Sequence, residues 1–197
     1  GYVFERMMIM DIYQNFKVGK LSLSLVFGLD EIGLPDIFKL PATLLIPNRC
    51  NEFMPLCDTF LQKEQRAPFW KGEDLFFLVT VNDGGTEKSI LVKCQFKWLP
   101  RSRMGYGKVL ESTMERSSME SQSLSANQFC LHLVIIFHQD KRCHTSSLHN
   151  QISSQEFVCV AGITQSPLLR KYYTTFQEAM GEDQKRKRNV DGGLEDH

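Results

Sequence analysis

Leu21, Leu23, Leu25 and Phe27 alternate with Ser22, Ser24 and Val26. A period of two with one apolar and one more polar face predicts a half-buried strand. Gly28, Gly33, Pro35, Pro41 and Pro47 punctuate the next stretch, so residues 28–50 read as loop with one short extended piece at 43–46. Further on, Phe53, Leu56, Phe60 and Leu61 recur at spacings of three and four, with Asn51 placed to cap and Pro68 to close. That pattern predicts a helix, with Pro55 confined to its first turn.

The clearest pattern is a hairpin. Residues 75–81 are apolar and rich in Phe and Val, and Asn82-Asp83-Gly84-Gly85 then supplies residues that tolerate positive φ. The chain returns over 90–98 with Ile90, Val92, Cys94, Phe96 and Trp98 on one face and Leu91, Lys93, Gln95 and Lys97 on the other. The span between the two apolar runs exceeds two residues, which predicts a bulged turn. Residues 111–128 hold six serines and little periodicity, the pattern of a mobile insertion, with a short helix around 109–115.

Residues 129–137 are apolar on both faces and predict a central strand. A polar loop at about 139–154 leads to a shorter strand at 157–161. Ser166-Pro167 has the form of a helix start, a cap residue followed by Pro at the first helical position. Leu169, Tyr172, Tyr173, Phe176 and Met180 make its apolar stripe, and Gly181 is positioned to stop it. The charged residues 181–197 lack the apolar groups to fold alone and predict a disordered tail.

A hairpin requires antiparallel pairing, which argues against a doubly wound parallel sheet. The expected fold class is therefore α+β, a mainly antiparallel sheet of about five strands with two or three helices packed on it. Residues 1–180 read as one domain, or as a piece of a longer protein, since the chain starts at Gly1 rather than Met.

Composition narrows the function classes. Lys+Arg and Asp+Glu both number 23, so any bias toward nucleic acid must be local. Even the longest apolar runs, such as residues 133–137, are far below the ~20 residues of a bilayer span, so no membrane is expected among the partners. Six dispersed cysteines and the lack of any Asn-x-Ser/Thr sequence favour a reducing compartment, with most cysteines packed as small core residues.

Cys130, His132, His138 and Cys143 include the preferred zinc ligand types, with His144 and His149 close by in sequence. Their spacing matches no finger, knuckle or ribbon, so the expectation is core and loop residues with no metal and no cofactor. The same residues permit a thiol nucleophile, and Cys143 sits among Lys141, Arg142 and His144. Gly84-Gly85-Thr86-Glu87-Lys88-Ser89 and Gly105-Tyr106-Gly107 depart from phosphate-loop patterns and read as turns. No catalytic residue is assigned.

Between Lys88 and Lys108 there are six basic residues and no acid. Lys93, Lys97, Arg101, Arg103 and Lys108 form the candidate contact set for nucleic acid or an acidic partner. The competing reading is a solvated strand face whose lysines guard an edge. Lys185, Arg186, Lys187 and Arg188 resemble a nuclear-import signal. Together these features point to a non-catalytic interaction or scaffold subunit in a nuclear complex that handles DNA or RNA. The alternatives are a cytoplasmic protein–protein adaptor and a zinc- or thiol-dependent enzyme.

Overall fold

The computed structural model describes residues 2–45, 75–100, 102–116 and 124–191. The helix expected after Asn51, Arg101 and part of the serine-rich insertion lie outside them. The chain opens with a helix absent from the sequence expectations, α1 (Tyr2–Phe16), which buries Met8, Ile12 and Phe16 at intervals of four.

The alternating stretch after Leu21 is not a strand. It forms a short helix, α2 (Leu23–Phe27), because local capping outweighs the period-two pattern. The Leu25 amide donates to Ser22 Oγ at 3.1 Å, and Gly28 closes the helix at φ +65°. A Cβ on Gly28 would stand 2.5 Å from the Gln165 carbonyl carbon, so this glycine also allows close approach to a distant segment. Leu23, Val26 and Phe27 are buried at the helical spacing of three and four. A 3-10 turn, η1 (Asp36–Lys39), then leads into β1 (Ala42–Leu44).

The expected hairpin forms from β2 (Leu75–Asp83) and β3 (Thr86–Leu99). Its turn differs from the expected bulge. Asp83 pairs with Thr86, leaving only Gly84 and Gly85 between them, at φ +59° and +90°. Two residues at positive φ match the right-handed strand twist. The ladder continues through polar residues that the apolar pattern alone could not include, and Lys88 Nζ meets Asp83 Oδ2 at 2.6 Å.

After α3 (Tyr106–Arg116) come β4 (Gln128–His138), a 3-10 turn η2 (Lys141–His144), β5 (Ser147–Gln151) and β6 (Glu156–Val160). The six strands lie in the order β1-β2-β3-β4-β6-β5. Pairs β1–β2, β2–β3 and β5–β6 are antiparallel, whereas β3–β4 and β4–β6 are parallel. The sheet is therefore mixed rather than mainly antiparallel, within an α+β fold. The hairpin fixes only its own pair, and the chain between β3 and β4 is long enough for the crossover that parallel neighbours need. β4 is central, as its apolar character predicts. β5 lies within the expected polar loop and escapes the pattern because, as an edge strand, it leaves four of its five residues exposed.

One face of the sheet carries the main core. Phe16 of α1 packs on Phe77 at 5.9 Å between ring centroids, and Phe38 of η1 packs on Phe157 at 5.5 Å. The last helix, α4 (Pro167–Asp191), sets Phe176 against Phe137 at 5.6 Å. Its start follows the sequence, for the Leu169 amide donates to Ser166 Oγ at 3.1 Å. Its end does not. Gly181 keeps a negative φ and the helix runs on to Asp191, a glycine interior to a helix costing only about 1 kcal/mol. Among the described residues no helix is long and apolar enough to cross a membrane.

Candidate functional site

The opposite face of the sheet holds a polar cluster. Cys130 and His132 are two apart on β4 and so project from the same side. Glu156 at the start of β6 pairs in register with Cys130, and Lys93 of β3 pairs with His132. Three neighbouring strands thus bring a thiol, an imidazole, a carboxylate and an ammonium to adjacent positions. All four are buried, with Cys130 and Glu156 at 0% exposure, Lys93 at 2% and His132 at 3%.

His132 Nε2 lies 2.7 Å from Glu156 Oε1 and 3.6 Å from Cys130 Sγ. Burial pushes the His132 pKa down; the hydrogen bond to Glu156 opposes that shift, and the charge of Lys93 reinforces it. The ring is therefore neutral and donates from Nε2 to the carboxylate. This leaves His132 Nδ1 and Glu156 Oε2 buried without hydrogen-bond partners.

A thiol nucleophile with a histidine base would use both ring nitrogens, one toward sulfur and the other toward the acid that orients the ring. Here one nitrogen faces both groups. That geometry suits a structural network or shared ligation better than proton transfer.

The four residues weighed as a zinc set do not come together. His138 lies six residues along β4 from His132, about 20 Å at the usual strand rise. Its Nε2 donates to the Met104 carbonyl at 2.9 Å, and its Nδ1 accepts from the Asp140 amide at 3.0 Å. Cys143 is buried in η2 with Sγ directed at the carbonyls of Asp140 at 2.8 Å and His138 at 3.2 Å. Burial pushes its thiol pKa up, the reverse of what a reactive cysteine needs. Arg142, expected to make that loop electropositive, is held by Asp140 at 2.7 Å, and the pair keeps the Asp140 carboxyl at about 2. His144 packs edge-on against Tyr173 with ring centroids 5.1 Å apart, while His149 is exposed on β5.

The basic set is also divided. Arg103 and Lys108 are exposed, Lys97 is half-buried and Lys93 is buried. Neither the phosphate-contact face nor the guarded edge fits Lys93, because β3 is flanked by β2 and β4 and its second face is covered. Helix α3 lies on that side, as the Tyr106 ring beside His138 indicates. Lys185, Arg186, Lys187 and Arg188 fall on the helical backbone of α4.

Glu156 is absent from the sequence-derived candidates. A single acid at the head of an apolar run gives no hint of its partner, and only the parallel register of β4 and β6 delivers it to His132. The four cysteines among the described residues, Cys94, Cys130, Cys143 and Cys159, are all buried. Comparison with protein-family models, with characterised proteins and with solved structures finds no match to this chain.

Proposed function

We propose that this chain is a non-catalytic interaction or scaffold subunit, working in the nucleus within a complex that handles DNA or RNA. The observation that carries the reading is the burial of Lys93, Cys130, His132 and Glu156, with the polar atoms of the last three set against one another inside the fold. The outer surface supplies adaptable apolar contacts: Met7 and Met10 are about half exposed (52% and 50%) one turn apart on α1, and Leu25 on α2 is 47% exposed. Flexible thioethers suit surfaces that mould to a protein partner. Among the described residues, Arg103 and Lys108 are the exposed cations of the basic stretch available for phosphate or acidic side chains.

Co-purification of the tagged chain from cells, with and without nuclease, tests this reading. A defined nuclear assembly is the expected result, with partial loss on nuclease treatment if nucleic acid bridges it. Recovery of the chain alone from both nuclear and cytoplasmic fractions would sink the proposal. Replacing Arg103 and Lys108 together with Gln should weaken retention on nucleic acid and reduce its salt dependence. Retention unchanged at every salt concentration would remove direct phosphate contact by these two residues. Neutralising Lys185–Arg188 should shift the protein toward the cytoplasm, and unchanged distribution would remove the import role.

A further inference from the structure

We propose that Cys130, His132 and Glu156 form a binding site for a divalent transition-metal ion of the zinc type. Thiolate, imidazole and carboxylate are the side chains that zinc accepts, and all three ligand atoms lie within 4.8 Å of one another. The separation of Cys130 Sγ from His132 Nε2, 3.6 Å, is the decisive distance. Zinc bonds of about 2.3 Å to sulfur and 2.0–2.1 Å to nitrogen, at a tetrahedral angle, place the two ligand atoms about 3.6 Å apart. The third ligand needs only a local change. Glu156 Oε1 is engaged with His132, but Oε2 is buried without a partner and can reach a metal by carboxylate rotation.

A second observation points the same way. An unpaired buried polar atom typically costs about 1–3 kcal/mol, and this cluster holds two of them, His132 Nδ1 and Glu156 Oε2. Metal binding engages Glu156 Oε2, in exchange for the hydrogen bond between His132 Nε2 and Glu156 Oε1. Zinc takes the lone pair of His132 Nε2, so the ring proton moves from Nε2 to Nδ1, which becomes a donor. The Cys130 thiol loses its proton to solvent, while Glu156 enters as the carboxylate. One zinc ion therefore binds with release of one proton, the net charge of the cluster rises by one, and affinity increases with pH. Three protein ligands leave a fourth position for water or another small donor.

Lys93 opposes the ion electrostatically, as its charge already acts on His132. That opposition separates a metal site from a purely structural network. Lys93→Met should bind zinc more tightly, whereas a network without metal function has no reason to do so.

The test uses the untagged full chain, stripped with chelator, loaded with Zn2+ and gel-filtered. Near one equivalent of retained zinc is expected, with X-ray absorption showing one sulfur and otherwise nitrogen and oxygen ligands. Co2+ in its place should give a thiolate-to-metal charge-transfer band. Cys130→Ser should abolish that band and lower affinity by about tenfold or more. Failure of the folded wild-type chain to retain zinc overturns the proposal, as does a sulfur count other than one. Undiminished binding in folded Cys130→Ser overturns it too. If that variant does not fold, the wild-type sulfur count and the Lys93→Met affinity decide the question.

Discussion

The two faces of the sheet exclude water equally well by opposite chemistry. On one, Phe77, Phe137 and Phe157 meet Phe16, Phe176 and Phe38 in ring contacts that need no partner of particular charge. On the other, Lys93, His132 and Glu156 are as deeply buried, and the His132 ring depends on its hydrogen bond to the Glu156 carboxylate. Apolar packing degrades gradually as atoms are removed, whereas a buried ionic network fails when one member goes. The difference is one of brittleness rather than of depth.

The sharpest way to break the comparison is to delete one group from each face. Phe137→Ala should cost about 3–5 kcal/mol through lost contacts and a cavity. Glu156→Ala should cost about 1–3 kcal/mol although it removes far fewer apolar atoms, because the His132 ring is left buried without its hydrogen-bond partner. Urea denaturation of both variants checks this. A Glu156→Ala cost below that of an ordinary surface substitution would mean that the network is not strained by the loss.

Replacing the whole network sharpens the point. Lys93→Met, His132→Leu and Glu156→Leu together should leave stability unchanged or raise it by up to about 1–4 kcal/mol, since apolar groups of similar volume carry no desolvation cost. The denaturation midpoint of the triple variant should therefore lie at or above wild type, and that of Glu156→Ala below it.

A smaller effect comes from pH. The folded-state pKa of His132 lies below its unfolded value of about 6.5. Above that pH neither state binds the proton. Below it the unfolded chain takes up a proton that the folded ring resists, so stability is lost as pH falls from about 6.5 toward the folded pKa. Melting temperature should decline over that window in wild type and decline less in the triple variant. Identical profiles would remove His132 from the account. Smallest of all, Gly84→Ala should cost about 1 kcal/mol, because it forces φ +59° on a residue with a Cβ.

How much of this is legible in the sequence depends on the range of the interactions. The hairpin, the central β4 and the Ser166 cap are written in contiguous residues, and each is where the pattern puts it. Residues 23–27 fit a strand by alternation and a helix by their three–four spacing, and only the Ser22 and Gly28 caps decide between them. β5 carries one partly buried apolar residue, Leu148, too little for a pattern. The cluster shows the limit most plainly. Cys130 and His132 are visible as a pair two residues apart, but Lys93 reads as a surface cation and Glu156 as a strand-end acid. Parallel pairing across two strand boundaries makes them neighbours, and no local periodicity encodes that register.

Gly28 and Ser166 join parts of the chain that are remote in sequence. The Ser166 hydroxyl donates to the Val26 carbonyl at 2.7 Å while capping α4, and Asp11 on α1 meets both Lys171 and Tyr172. Helices remote in sequence ordinarily exchange their amide hydrogens as separate local units. Here α1, α2 and the start of α4 share bonds, so they should open together. Amides of α1, α2 and the first turns of α4 should exchange as one cooperative unit, and Ser166→Ala should speed exchange in both α2 and α4.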